Sequence, residues 1–147
     1  MQNPELSKQR RDVIFASFAK QGFLIGLAAR ISHLGKGRCS IEMPFSASVA
    51  QQHNFFHGGA VGALADSAGG YAAMTIVPDG SDVLTLEYKI NFLRPAVGSL
   101  LVAEGIVLRA GRSVVVTRID VFSCEGEKRT LCAAVQQSVV PHLAHPE

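Results

Sequence analysis

Several common functional classes lack their marks in this chain. Only three of its 147 residues are cysteines, Cys39, Cys124 and Cys132, an odd number at unrelated spacings. That argues against a disulfide framework and a thiolate zinc site, and suits a reducing cytoplasm. Charge of one sign is also missing. Fourteen basic and twelve acidic residues leave a formal +2, too even for the basic stripe that nonspecific nucleic-acid binding needs. The charged amino end, Met1–Asp12, is not followed by an apolar core with a secretory cleavage site. No repeat or low-complexity segment is present. The run from Ala60 to Val77 is apolar, but Asp66 and its glycines argue against a membrane span, so no membrane partner is expected. What is abundant is apolar residue, 48%, enough for one domain over 1–147 to bury a core without disulfide or metal.

Periodicity predicts an α+β arrangement. Asn3 before Pro4 reads as an N-cap with proline at the first helical position, giving a helix over about 4–20 that Gly22 stops. Cys39, Ile41 and Met43 alternate with Arg38, Ser40 and Glu42 after the turn residues Leu34–Gly37, which predicts a hairpin. A second helix is expected over about 59–76, ending before Pro78-Asp79-Gly80. Its glycines at 62, 69 and 70 each cost about 1 kcal/mol relative to alanine, so burial must hold it together. Leu84, Leu86, Tyr88, Ile90 and Phe92 alternate with Thr85, Glu87, Lys89 and Asn91 up to Arg94-Pro95. Leu100–Leu108 and Val114–Phe122 flank a short link, Arg109–Arg112, and Thr130–Val140 supplies a last strand. Such strands suggest a curved antiparallel sheet wrapped around the narrow helix, with an edge able to pair across a two-fold axis.

The chemistry concentrates at His57-Gly58-Gly59 and at Asp66 nine residues past the histidine. A carboxylate among small residues costs free energy if buried unpaired, so either local N–H groups satisfy it, a partner does, or it works as a catalyst. Other motifs fall short. His53 and His57 could meet a metal, yet no glutamate follows His53, so no metal is expected. Gly58–Gly62 follows Phe55-Phe56-His57 rather than a strand, unlike a dinucleotide loop. Ser67 lacks the Gly-x-Ser-x-Gly elbow of a nucleophile, and the three cysteines fall on strands where thiols pack as small hydrophobes.

Together, His57-Gly58-Gly59, Asp66 and Ile90-Asn91-Phe92-Leu93-Arg94-Pro95 resemble the hotdog-fold acyl-CoA thioesterases, in the branch related to phenylacetyl-CoA thioesterases, over about residues 22–140. The resemblance implies a sheet wrapped around the central helix, subunits paired through their sheets as a homodimer, and two dimers forming a homotetramer. It implies hydrolysis of an acyl-CoA thioester with no cofactor, coenzyme A being part of the substrate. The amide of Gly58 or Gly59 would bind the thioester carbonyl oxygen, His57 would orient this turn or the carbonyl, and Asp66 would serve as general base or nucleophile. Gln51, six residues before the histidine, stands where many members have asparagine to hold the carbonyl or water. Thr85, ten before Pro95, would position the water. The glycine and the acid would come from different protomers. Arg94, Arg109 and Arg112, at strand ends or turns, are candidates for the coenzyme A phosphates, or ordinary solvated charges. The rival readings are a noncatalytic acyl-CoA binding or sensing protein, and a hydratase, for which no Asp-x-Asn-Pro-x-His segment is present.

Overall fold

A computed structural model describes residues 5–143. Its elements are α1 (Lys8–Ala19), α2 (Gly22–Gly26), β1 (Arg30–Gly35), β2 (Arg38–Pro44), a 3-10 turn at Ala47–Val49, α3 (Gly58–Met74), β3 (Ser81–Phe92), β4 (Leu100–Ala110), β5 (Val115–Glu125) and β6 (Lys128–Leu143). The six strands form one antiparallel curved sheet in the order β1-β2-β4-β5-β6-β3. Helix α3 packs against β2 through β6, so Val61, Leu64, Ala65, Ala68 and Ala72 share one core with Ile41, Met43, Leu101, Ile119, Val121 and Val135.

Close packing explains the glycines. A Cβ on Gly105 of β4 would lie 2.5 Å from the Ala68 carbonyl oxygen, and one on Gly69 would lie 2.0 Å from Gln137 Oε1. Both positions let helix and sheet approach more closely than any side chain permits, which offsets the helix-propensity cost.

Several boundaries differ from the sequence expectation. Asn3 and Pro4 lie outside the described residues, and α1 starts at Lys8, where Ser7 Oγ accepts the Arg10 N–H at 3.2 Å; a serine cap inside the expected span sets the start. The helix stops at Ala19 with Lys20 as its C-cap, so Gly22, expected to end it, instead begins α2. The central helix begins one residue early, with His57 as its N-cap, and stops at Met74. There Thr75 Oγ1 donates to the Ala72 carbonyl at 2.6 Å while accepting the Gly37 N–H at 2.7 Å. Arg109 and Ala110 belong to β4 rather than to the link.

The exposed strand β3 positions the site. It pairs only with β6 among the described residues, leaving an edge that carries Leu84, Leu86, Tyr88 and Phe92 with 42–59% of their surface in solvent. A bulge between Thr85 and Glu87 shifts its register. An inserted residue reverses the alternation, so Thr85 and Tyr88, at unlike parity, both face α3.

Candidate active site

The turn into α3 is built first. Phe56 is buried with its ring edge-on to Phe45, centroids 5.2 Å apart. Its N–H donates to the Ala96 carbonyl at 3.0 Å, and the His57 N–H donates to the Val49 carbonyl at 2.7 Å. These bonds fix where the helix starts. Gln51 Oε1 accepts the N–H groups of His53 and, at 3.3 Å, Phe55, so its carbonyl end is committed to the loop and its NH2 end remains for a ligand. His57 Nδ1 accepts the Gly59 N–H at 2.7 Å. The Gly59 amide is therefore spent. Among the described residues the Gly58 N–H has no such partner, and it is an orphan donor at the positive end of the helix dipole. Gly58, Gln51, Phe55, Phe92, Arg94 and Cys132 line a cavity of about 440 Å³.

The acid lies two turns on. Asp66 is half-buried, and its Oδ1 accepts from Thr85 Oγ1 at 2.7 Å and from Gln137 Nε2 at 2.5 Å. Gln137 is 1% exposed; its Nε2 also reaches the Asp66 carbonyl at 3.0 Å and Thr85 Oγ1 at 3.1 Å, while its Oε1 accepts from Thr117 Oγ1 at 2.8 Å. Among the described residues no buried side-chain polar atom lacks a partner, and the two bonds to Oδ1 hold the carboxylate in one orientation. Asp66 Oδ2 accepts no hydrogen bond among the described residues, leaving it to meet a water. Asp66, Thr85, Ser17, Gln21, Tyr71 and Met74 line a second cavity of about 240 Å³, separate from that of Gly58.

Comparison with known proteins then fixes the family. The profile of the thioesterase superfamily matches residues 53–130, the span that holds His57, Gly58, Asp66 and Thr85. The chain belongs to the thioesterase superfamily. It is similar to a thioesterase family protein of Silicibacter pomeroyi, whose solved structure superposes with a TM-score of 0.89 at 32% identity over 92% of this chain and 99% of that one. It is also similar to a provisionally named esterase of Saccharolobus solfataricus, 37% identical over 69% of this chain and 71% of the relative. The proofreading thioesterase EntH of Klebsiella pneumoniae is 28% identical over 69% and 80%. The PaaI protein of the E. coli phenylacetic acid degradation operon shares the fold, with a TM-score of 0.82 at 22% identity over 93% and 96%. The fold is the hotdog, and the class of chemistry is thioester hydrolysis.

Of the candidate residues, the structure brings Asp66 and Thr85 together and sets His57, Gly58, Gly59 and Gln51 at or just before the helix start. It does not gather the three arginines. Arg94 lines the Gly58 cavity and donates to the Leu131 carbonyl at 3.1 Å. Arg109 and Arg112 lie at the other end of the sheet: Phe92 is level with Ala133, Val121 and Ala103, whereas Thr85 is level with Val139, Val115 and Ala110. Seven residues of β4 separate the two levels, roughly 20 Å. Gln137 and Thr117 were not foreseen. Their signal was available, since each is a polar residue in an inward row, Val135-Gln137-Val139 and Val115-Thr117-Ile119.

Among the described residues no group of three metal-ligating side chains is found, and no helix is long and apolar enough to cross a membrane. Cys39 and Cys132 are buried thiols, pushed up by desolvation from 9.0 to about 12 and about 11. At neutral pH both stay protonated and unreactive.

Proposed function

We propose that the protein is a homodimeric acyl-CoA thioesterase in which Asp66 of one protomer and the Gly58 N–H of the other act on one thioester. The observation that carries this reading is the carboxylate itself. Gln137 and Thr85 immobilise one oxygen of Asp66 and leave the other for water, beside a cavity and within reach of an unpaired sheet edge.

The need for two protomers follows from length. Eight residues of helix separate Gly58 from Asp66, about 12 Å at 1.5 Å per residue, whereas one reacting carbonyl must be within hydrogen-bond reach of the donor and of the attacking water. Strand β3 supplies the remedy. A Cβ on Gly58 would lie 3.1 Å from Phe92 Cζ at one end of β3, while Asp66 is bonded to Thr85 towards the other end. Antiparallel pairing of two β3 edges about a two-fold axis between these points exchanges the ends, setting the glycine turn of one subunit beside the acid of the other. It also covers the exposed Leu84, Leu86, Tyr88 and Phe92.

In the reaction, Asp66 takes a proton from water as its oxygen attacks the thioester carbon, and the carbonyl electron pair moves onto oxygen. The Gly58 N–H and helix dipole stabilise that oxyanion, a contribution of about 3 to 4 kcal/mol for such a donor. The C–S bond then breaks, Asp66 returns the proton to the leaving thiolate, and a carboxylic acid and coenzyme A depart. His57 fixes the turn through Gly59, and Thr85 and Gln137 aim the carboxylate. Arg94 is placed to meet a coenzyme A phosphate; Arg109 and Arg112 could do so only from another subunit. No metal or redox group enters these steps.

Hydrolysis of an acyl-CoA panel, followed with a thiol reagent, tests the proposal. Turnover by the wild type and its loss in Asp66→Ala are expected. Full activity in that variant removes the acid from the mechanism, and tight acyl-CoA binding without turnover would support the noncatalytic alternative.

A further inference from the structure

The Asp66 cleft is bordered by a cluster of contacts between α1 and α3. Tyr71, 5% exposed, is met by Gln21 Nε2, which donates to its hydroxyl at 3.0 Å, and by Ser17 Oγ at 3.2 Å; Phe18 packs edge-on to its ring at 5.7 Å. Further along, α1 is tied down by Arg10, whose buried guanidinium donates to the Val77 carbonyl at 2.8 Å and to Asp79 at 2.7 Å. The helix is therefore a fixed wall rather than a loose arm.

Along the flank of α1 runs a larger, open groove of about 690 Å³ between that helix and the start of β3, lined by Val13, Ala16, Lys20 and Gly80 among others. Ser17, Met74 and Asp82 line both cavities. Met74, the last residue of α3 and 4% exposed, is the one large apolar side chain among the three. Its unbranched chain can move without backbone change.

We infer that Met74 and Ser17, which line both spaces, form a partition that sets the length of acyl group the enzyme accepts, with the groove along the flank of α1 as a second subsite that this partition keeps separate in the wild type. This rests on the thioesterase reading above. The cleft at Asp66, about 240 Å³, is the smaller of the two, against about 690 Å³ along α1, so the partition sets how far an acyl chain extends from the acid. Trimming Met74 joins the two spaces and admits longer chains; enlarging it shortens the limit.

Thioether analogues of acyl-CoA, which cannot be hydrolysed, are titrated calorimetrically against the full-length protein in a series of increasing chain length, alongside turnover of the matching thioesters. For the wild type, affinity rises with each methylene, by at most about fourfold for full burial, up to a break beyond which it stops rising. Met74→Ala moves that break to chains at least four carbons longer, and Met74→Phe moves it to shorter ones. The opposite directions separate a partition from general damage to the fold, and Ser17→Ala gives a smaller shift of the same sign as Met74→Ala. A break at the same length in all proteins, or none in the wild type, overturns the inference. A shifting break without turnover of any thioester would instead sink the thioesterase proposal and keep the partition.

Discussion

The two ends of the α3 segment that face β3 are built in contrasting ways. In the proposed mechanism the group supplied at Gly58 is backbone: an amide left over at a helix start, kept available because His57 takes the Gly59 N–H instead. The group proposed at Asp66 is a side chain, held by a network reaching 71 residues along the chain to Gln137 and on to Thr117. The first device is local to one turn, which the Phe56 and His57 N–H groups anchor to Ala96 and Val49. The second depends on the register of three strands and on Gly69 leaving room for Gln137. A donor can be made by a turn, but an aimed acid requires the whole sheet.

That contrast can be broken at either end. Asp66→Ala should reduce kcat about a thousandfold in acyl-CoA hydrolysis, the range of a lost general base, with the fold retained. Gly58→Pro should reduce kcat about a hundredfold or more. Proline suits the first helical position and the extended His57 before it (φ −61°, ψ 139°), so circular dichroism should be unchanged while the donor is gone; Gly58→Ala, which meets the same 3.1 Å contact with Phe92 but keeps its N–H, should lose far less. Gln137→Leu should lower kcat about tenfold by loosening Asp66, and should cost about 1 to 3 kcal/mol in denaturant unfolding because Thr117 loses its acceptor. A Gln137→Leu enzyme with normal kcat would show that Thr85 alone aims the acid.

The smallest effect concerns Cys39, buried between the helix and sheet. Its folded-state ionisation is pushed up from 9.0 to about 12, so above pH 9 the unfolded chain gives up its proton first. The stability this thiol contributes is full below pH 9 and is lost as pH rises towards 12. Unfolding midpoints between pH 8 and 11 should fall less steeply in Cys39→Ala than in the wild type, though from a lower starting point because a cavity is left.

The sheet was legible because Cys39-Ile41-Met43 and the later strands alternate with period two, and the central helix because its small residues end before Pro78. Asp66, Thr85 and the glycine turn were singled out through the family resemblance and its spacings, and the structure shows Thr85 bonded to Asp66. The manner of Thr85's arrival was not: strict alternation puts it on the face opposite Tyr88, and only the bulge beside Leu86 turns both inward. Choosing Gly58 over Gly59 required the His57 ring position, which backbone pattern does not encode. The start of α1 depended on a contest between caps, Asn3 and Ser7, that local propensity leaves nearly even. Arg109 and Arg112 share residue type with Arg94 but lie across the sheet from it, a separation set by strand pairing and invisible to spacing.

The shared site between protomers is tested most directly by mixing two inactive proteins, Asp66→Ala and Gly58→Pro, after reversible dissociation. Random reassociation makes half the dimers mixed, each with one glycine amide and one acid intact across the same interface, so about a quarter of wild-type activity should return. If the mixture remains as inactive as its components while mixed dimers are shown to form, donor and acid do not meet across the subunits.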